Sequence, residues 1–144
     1  MPTSFRILFI LLIIGFISSL TSLFSIKKYG FPFLGFDIYG TTGVILSFII
    51  TTVGILLLII AIWKRYSWGW NYSLFYIGYM VLNSLLSIIS LPNKVTTMIS
   101  TFPEGISYSA NMLYFTSLIG IFISVAIYAT FFIILQKNKK YFSN

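Results

Sequence analysis

The chain has 144 residues, enough for one domain; 58% are hydrophobic, only 8% are charged, and the formal net charge is +7. An ordinary soluble domain carries about 25% charged residues, so a water-soluble fold of this size has too few charges to cover its surface. The lack of any cysteine or histidine removes disulfides, thiolate nucleophiles, the commonest general base and the commonest metal and haem ligand.

Four stretches carry no charge at all: Ile7–Ile26, Ile38–Trp63, Tyr66–Asn93 and Gly105–Gln136. Each reaches the roughly 20 residues that a helix needs to cross a hydrocarbon core about 30 Å thick. They predict an all-α integral membrane protein of four transmembrane helices in an antiparallel bundle. The spans fall at about 5–26, 41–63, 70–91 and 109–136, in a single four-span membrane domain of residues 1–144 that ends in a short basic cytoplasmic tail, 137–144.

The first span follows Arg6 and ends in the small residues of "ISSLTS", features shared with a cleavable leader. Its uncharged run is longer than a leader's apolar core, and Lys27-Lys28 flank it as they would a retained span. "KKYGFPFLGFDIYG" (27–40) alternates Gly and Pro with aromatics and predicts turns lying at the membrane interface.

The second span closes at Trp63, and the turn Lys64–Gly69 is short enough to make spans two and three a tight hairpin. All three tryptophans lie within "WKRYSWGW" (63–70). Trp rings concentrate where hydrocarbon meets water, and each neighbouring cation gains about 1 kcal/mol from anionic headgroups. Trp63, Lys64, Arg65, Trp68 and Trp70 therefore read as interfacial anchors rather than an aromatic cage, from which Lys64 and Arg65 would repel a cation. "NYS" at Asn71 matches a glycosylation sequon but falls too close to the bilayer for modification.

The third span ends before Pro92. "LPNKVTTMISTFPEGISYS" (91–109) is bounded by Pro92 and Pro103 and reads as an outer loop, with Val95–Thr101 as a short turn on the membrane surface. Placing both termini in the cytoplasm puts Arg6, Lys64, Arg65, Lys137, Lys139 and Lys140 inside, six cations against three outside, Lys27, Lys28 and Lys94. Cations gathered at the ends of apolar runs do not track a phosphate backbone, so no nucleic-acid partner is expected.

Every span carries a stripe of small or polar residues at helical spacing. The first has Gly15, Ser18, Ser19, Ser22 and Ser25; the second Gly43, Ser47, Thr51 and Gly54. The third has Tyr72, Tyr76, Tyr79, Asn83, Ser87 and Ser90, and the fourth Thr116, Gly120, Ser124 and Tyr128. In lipid, helices associate through close packing of such residues and through interhelical hydrogen bonds. Tyr76, Tyr79, Asn83 and Ser87 are the expected helix–helix contacts or the lining of a polar pathway. An unpaired amide at the depth of Asn83 would cost several kcal/mol, so it is expected to face Ser, Thr or Tyr of a neighbouring helix or subunit.

In size and span number the chain is similar to the small multidrug-resistance transporters, which carry a membrane-embedded glutamate in the first helix; this first helix has none. No acid or base falls within any span's core, which removes the usual device for proton coupling. Catalysis by the two acids, Asp37 and Glu104, would need two outer loops to converge. Met80, Met98 and Met112 are spaced irregularly, as packing filler is. No enzyme activity, cofactor or metal is expected. The expected role is a non-catalytic subunit or assembly partner of a membrane complex, bound to lipid and to other subunits or to itself; the alternative is a small oligomeric transporter or channel. Richness in Ile, Phe, Tyr, Asn, Ser and Lys resembles products of AT-rich prokaryotic genomes and points to a prokaryotic cell membrane.

Overall fold

The computed structural model describes residues 3–101 and 109–142; Pro103 and Glu104 lie outside the described residues. Helix α1 (Thr3–Tyr29) leads through a two-stranded antiparallel hairpin, β1 (Phe31–Phe33) and β2 (Phe36–Ile38), into α2 (Gly40–Ser47). A π-helical segment, Phe48–Val53, joins α2 to α3 (Gly54–Lys64). Then come α4 (Ser67–Thr101), α5 (Ala110–Lys137) and a 3₁₀ turn, Lys139–Phe142. Phe48 and Gly54 keep right-handed helical angles, so α2, the π segment and α3 form one continuous rod. Four helical units are long and apolar enough to cross a membrane: Phe5–Ile26, Gly40–Lys64, Ser67–Ser100 and Ala110–Lys137.

Two elements differ from the sequence expectation. Residues 27–40 are not turns alone, because α1 continues to Tyr29 and the hairpin follows. Pro92 does not end the third helix either: α4 runs nine residues beyond it to Thr101. Proline offers no N–H to the carbonyl of Ile88, one turn back. The extension is held instead by packing and charge. Leu91 and Val95 are buried, and the Lys94 ammonium lies 3.0 Å from the Asp37 carboxylate of β2.

The π segment has a local cause and a distant support. Thr51 Oγ1 donates to the Ser47 carbonyl at 2.6 Å, placing a hydroxyl in the ladder where a backbone N–H would bond. From α4, the Tyr72 hydroxyl donates to the Gly54 carbonyl at 2.9 Å, and the Tyr76 hydroxyl to the Thr51 carbonyl at 3.4 Å. Gly54 has to be glycine for this approach, since a Cβ there would fall on the Tyr76 ring. Along the other side of the rod, Ser19 of α1 and Thr52 share a buried hydroxyl–hydroxyl bond of 3.2 Å. Most remaining stripe hydroxyls, among them Ser22, Ser25, Thr116 and Ser124, bond back to carbonyls of their own helix.

The apolar core gathers at the end of the molecule that holds the α3–α4 turn. Phe5, Leu8, Leu58, Ile62, Leu135 and Phe142 are almost wholly enclosed there. The segment read as a basic tail closes this end: Tyr141 stacks on Phe5 at 4.7 Å, and Phe142 packs edge-on to Phe5 at 5.9 Å and against Trp70 at 6.1 Å.

A Gly54→Val substitution drives side-chain atoms into the Tyr76 ring, at a cost of about 1–3 kcal/mol for overpacking. The expected result is a clearly lowered thermal midpoint of the detergent-purified protein. The control, Gly78→Ala, adds a methyl where no atom lies within 4 Å and leaves the midpoint unchanged or slightly raised.

Candidate functional site

The hairpin is the element that organises the site. Its two central residues, Leu34 and Gly35, have φ of 48° and 89°, the left-handed pair that a type I′ turn requires. A leucine in that region is uncommon, and its N–H points away from the ladder. Asn83 takes up both loose ends. Its Oδ1 accepts from the Leu34 N–H at 2.8 Å, and its Nδ2 donates to the Pro32 carbonyl at 3.0 Å. The sequence places a Ser, Thr or Tyr of a neighbouring helix or subunit against this amide; in the structure it instead clamps a backbone turn lying against the middle of α4. Gly35 allows the close seat, with the Leu86 carbonyl 3.2 Å from where a Cβ would stand.

Beneath the hairpin lies a cavity of about 420 Å³, bounded by Phe31 and Pro32 and lined by Thr51, Met80, Asn83, Ser84, Ser87, Ser117 and Ser124, among others. Asn83 and Ser87 are both buried, and the Ser87 hydroxyl donates to the Ser84 carbonyl at 2.6 Å. The hydroxyls of Ser84 and Ser117 have no hydrogen-bond partner among the described residues. A second cavity, about 380 Å³, lies deeper between α1, α3, α4 and α5, lined mainly by apolar side chains with Tyr76 and Tyr128 in its wall. Met80 and Ser124 belong to both linings, so the two spaces adjoin. Among the described residues no charged side chain lines either.

Of the four residues expected to act together, Asn83 and Ser87 therefore share the polar cavity, and Tyr76 faces the apolar one. Tyr79 lines neither; its hydroxyl is buried without a hydrogen-bond partner among the described residues. The fourth-helix stripe also divides. Ser124 and Tyr128 turn toward α4, while Thr116 is exposed and Gly120 sits at the cavity's open edge.

The five anchor residues separate in space. Trp63 and Trp68 are exposed; Trp63 leans on Phe9 at 5.3 Å, and Trp68 sits between Tyr66 at 5.6 Å and Tyr72 at 5.8 Å. Trp70 instead faces the enclosed Phe142. Arg65, in left-handed conformation, ends α3, and its guanidinium lies 4.7 Å from the centre of the Tyr141 ring. Lys64 is exposed, and Lys139 comes within 5.8 Å of the Trp70 ring.

Asp37 was a candidate acid. Its side chain is only 5% exposed and is paired with Lys94 at 3.0 Å. Among the described residues no three His, Cys, Asp or Glu side chains gather as a metal site would need. Sequence reasoning passed over Thr52 and Ser73, both buried, along with Pro32, Leu34 and Phe142. The Leu34-Gly35 dipeptide between "FPF" and "FDI" was the available signal for the hairpin.

Compared with protein-family models, with curated proteins and with solved structures, the chain has no match.

Asn83→Leu leaves the Leu34 N–H and the Pro32 carbonyl without partners, each a loss of about 1–3 kcal/mol where water is absent. Hydrogen exchange in a peptide spanning residues 31–38 is expected to quicken at least tenfold, with exchange in α1 and α5 little changed. Unaltered exchange at Leu34 would show that the clamp contributes nothing.

Proposed function

We propose that the chain is a non-catalytic integral membrane protein that holds a small neutral molecule among four alternately directed spans, with both termini on the cytoplasmic side of a prokaryotic cell membrane. Four sufficiently long apolar helices support the membrane assignment. The six-to-three distribution of cations supports the orientation. On this reading the hairpin and Lys94 face outward, and the "WKRYSWGW" turn lies at the inner interface, with Trp63, Trp68 and the neighbouring Lys64 and Arg65 at headgroup level.

The observation that carries the binding role is the polar cavity under the hairpin. Its volume falls within the roughly 300–1,000 Å³ of small-molecule sites, and its donors and acceptors are uncharged. A bound ion would be left without a counter-charge at membrane depth, so a neutral occupant with hydroxyl or amide groups suits it. Among the described residues no Asp, Glu, Lys or Arg lines either cavity to couple movement of that occupant to protons.

The role of subunit or assembly partner rests on a separate feature. On α5, Thr116 and Gly120 form an exposed small-xxx-small pair beside the polar cavity, and nothing stands within 4 Å of a Cβ placed on Gly120. That face admits the close approach of another helix.

Two measurements test these readings. In intact cells a membrane-impermeant maleimide is expected to label Ser109→Cys and to spare Ser67→Cys, each being the sole cysteine of its chain; the opposite pattern would invert the topology. Native mass spectrometry after gentle extraction is expected to find a neutral adduct of small mass that Ser117→Phe, which fills the cavity, removes. A fixed-ratio partner polypeptide would favour the assembly role, and a bare monomer would count against both.

A further inference from the structure

We infer that the occupant is a single-chain neutral amphiphile drawn sideways from the bilayer, its hydrocarbon chain in the deeper cavity and its hydroxyl-bearing head beneath the hairpin. This deepens the binding role proposed above and rests on it.

Three observations lead there. The first is the pairing of unlike spaces. The deep cavity of about 380 Å³ is walled at the back by Leu12, Leu58, Ile77 and Phe131, all buried and apolar. The cavity under the hairpin offers Asn83, Ser84 and Ser117, of which the two serine hydroxyls have no partner among the described residues. They meet at Met80 and Ser124, so one elongated molecule with an apolar end and a polar end spans both.

The second is the direction of the opening. Leu11, Ile14 and Ile127 line the deep cavity and are also substantially exposed on the flanks of α1 and α5. Its mouth is therefore a slot between these two helices, facing where acyl chains would lie. The closed α3–α4 end, with Phe5, Ile62, Leu135 and Phe142 packed together, offers no comparable route from water.

The third is depth. Asn83 stands thirteen residues along α4 from Trp70, roughly 20 Å at the helical rise. With Trp70 near the inner interface, the polar cavity sits in the outer half of a core about 30 Å thick and the deep cavity nearer its middle. Head and chain would thus keep the order they hold in the outer leaflet. A carboxylate or phosphate head is disfavoured, because no Lys or Arg lines the space.

The test uses the full-length protein in nanodiscs with monooleoylglycerol as the probe, and oleate, which has the same chain and a charged head, as the comparison. One-to-one retention of monooleoylglycerol is expected by native mass spectrometry, with oleate held at least tenfold more weakly. Gly15→Leu, which fills the deep cavity, is expected to weaken retention at least tenfold while the thermal midpoint and helical content stay near those of the parent. As a second readout, a diazirine at the chain terminus of the probe should crosslink to peptides containing Leu58, Ile77 or Phe131. Crosslinks confined to the outward face of α5, around Phe115, Ile119 and Phe122, would mean ordinary annular lipid and overturn the inference. Equal retention of oleate would overturn the neutral head. Binding of glycerol alone, unaffected by Gly15→Leu, would overturn the chain site and leave the neutral-solute role standing.

Discussion

Where water is excluded, every backbone N–H and C=O must find its partner within the chain, and this requirement bears on two of the places where helical bonding lapses, the hairpin and the π segment. Both places are served by α4. At the hairpin, Asn83 supplies one donor and one acceptor to the turn; at the π segment, Tyr72 and Tyr76 donate to two carbonyls of the rod. The irregular backbone therefore depends on three side chains of one helix. Those bonds also fix the distance between α4 and the second helical unit, and hence the room left between them.

The two ends of the molecule are finished differently. At the α3–α4 turn the closure is aromatic: Phe5, Tyr141 and Phe142 are in mutual ring contact, Trp70 packs on Phe142, and the cations Arg65 and Lys139 lie over ring faces. At the hairpin end the closure is a strand pair seated by hydrogen bonds, with a half-buried Asp37–Lys94 pair beside it. A buried ion pair is weak evidence for stability, but it forbids most alternative seats for the hairpin, because either charge alone would be stranded. The polar cavity sits beneath this second, more conditional closure.

The interior chemistry narrows the functional reading more than the fold does. Tyrosine, serine and asparagine can recognise a hydroxyl or an amide by hydrogen bonding. On the proposed reading, such a site would sort molecules by shape and hydrogen bonding. The adjoining apolar space is what leads the proposal to a lipid-like occupant rather than a water-soluble one.

Hydropathy is a sum over neighbouring residues, and the uncharged runs alone were enough to locate four long apolar helices. Asn83 and Ser87 could likewise be singled out because an amide among apolar residues is conspicuous in any register. Their partners could not. Pro32 and Leu34 lie 51 and 49 residues from Asn83 in the chain, and nothing local in "FPFLGFDI" says that its turn will lie against the middle of another helix. Pro92 illustrates the same limit: alone it reads as a helix end, yet the burial of Leu91 and Val95 and the charge of Asp37 carry α4 past it. The sequence by itself determined the four long apolar helices, the scarcity of charge along them and the aromatic, basic character of the α3–α4 turn, all properties that add up locally. Only the tertiary structure decided that Asn83 holds a backbone, that Tyr79 lines neither cavity and that two cavities adjoin, because each depends on distances between residues far apart in the chain.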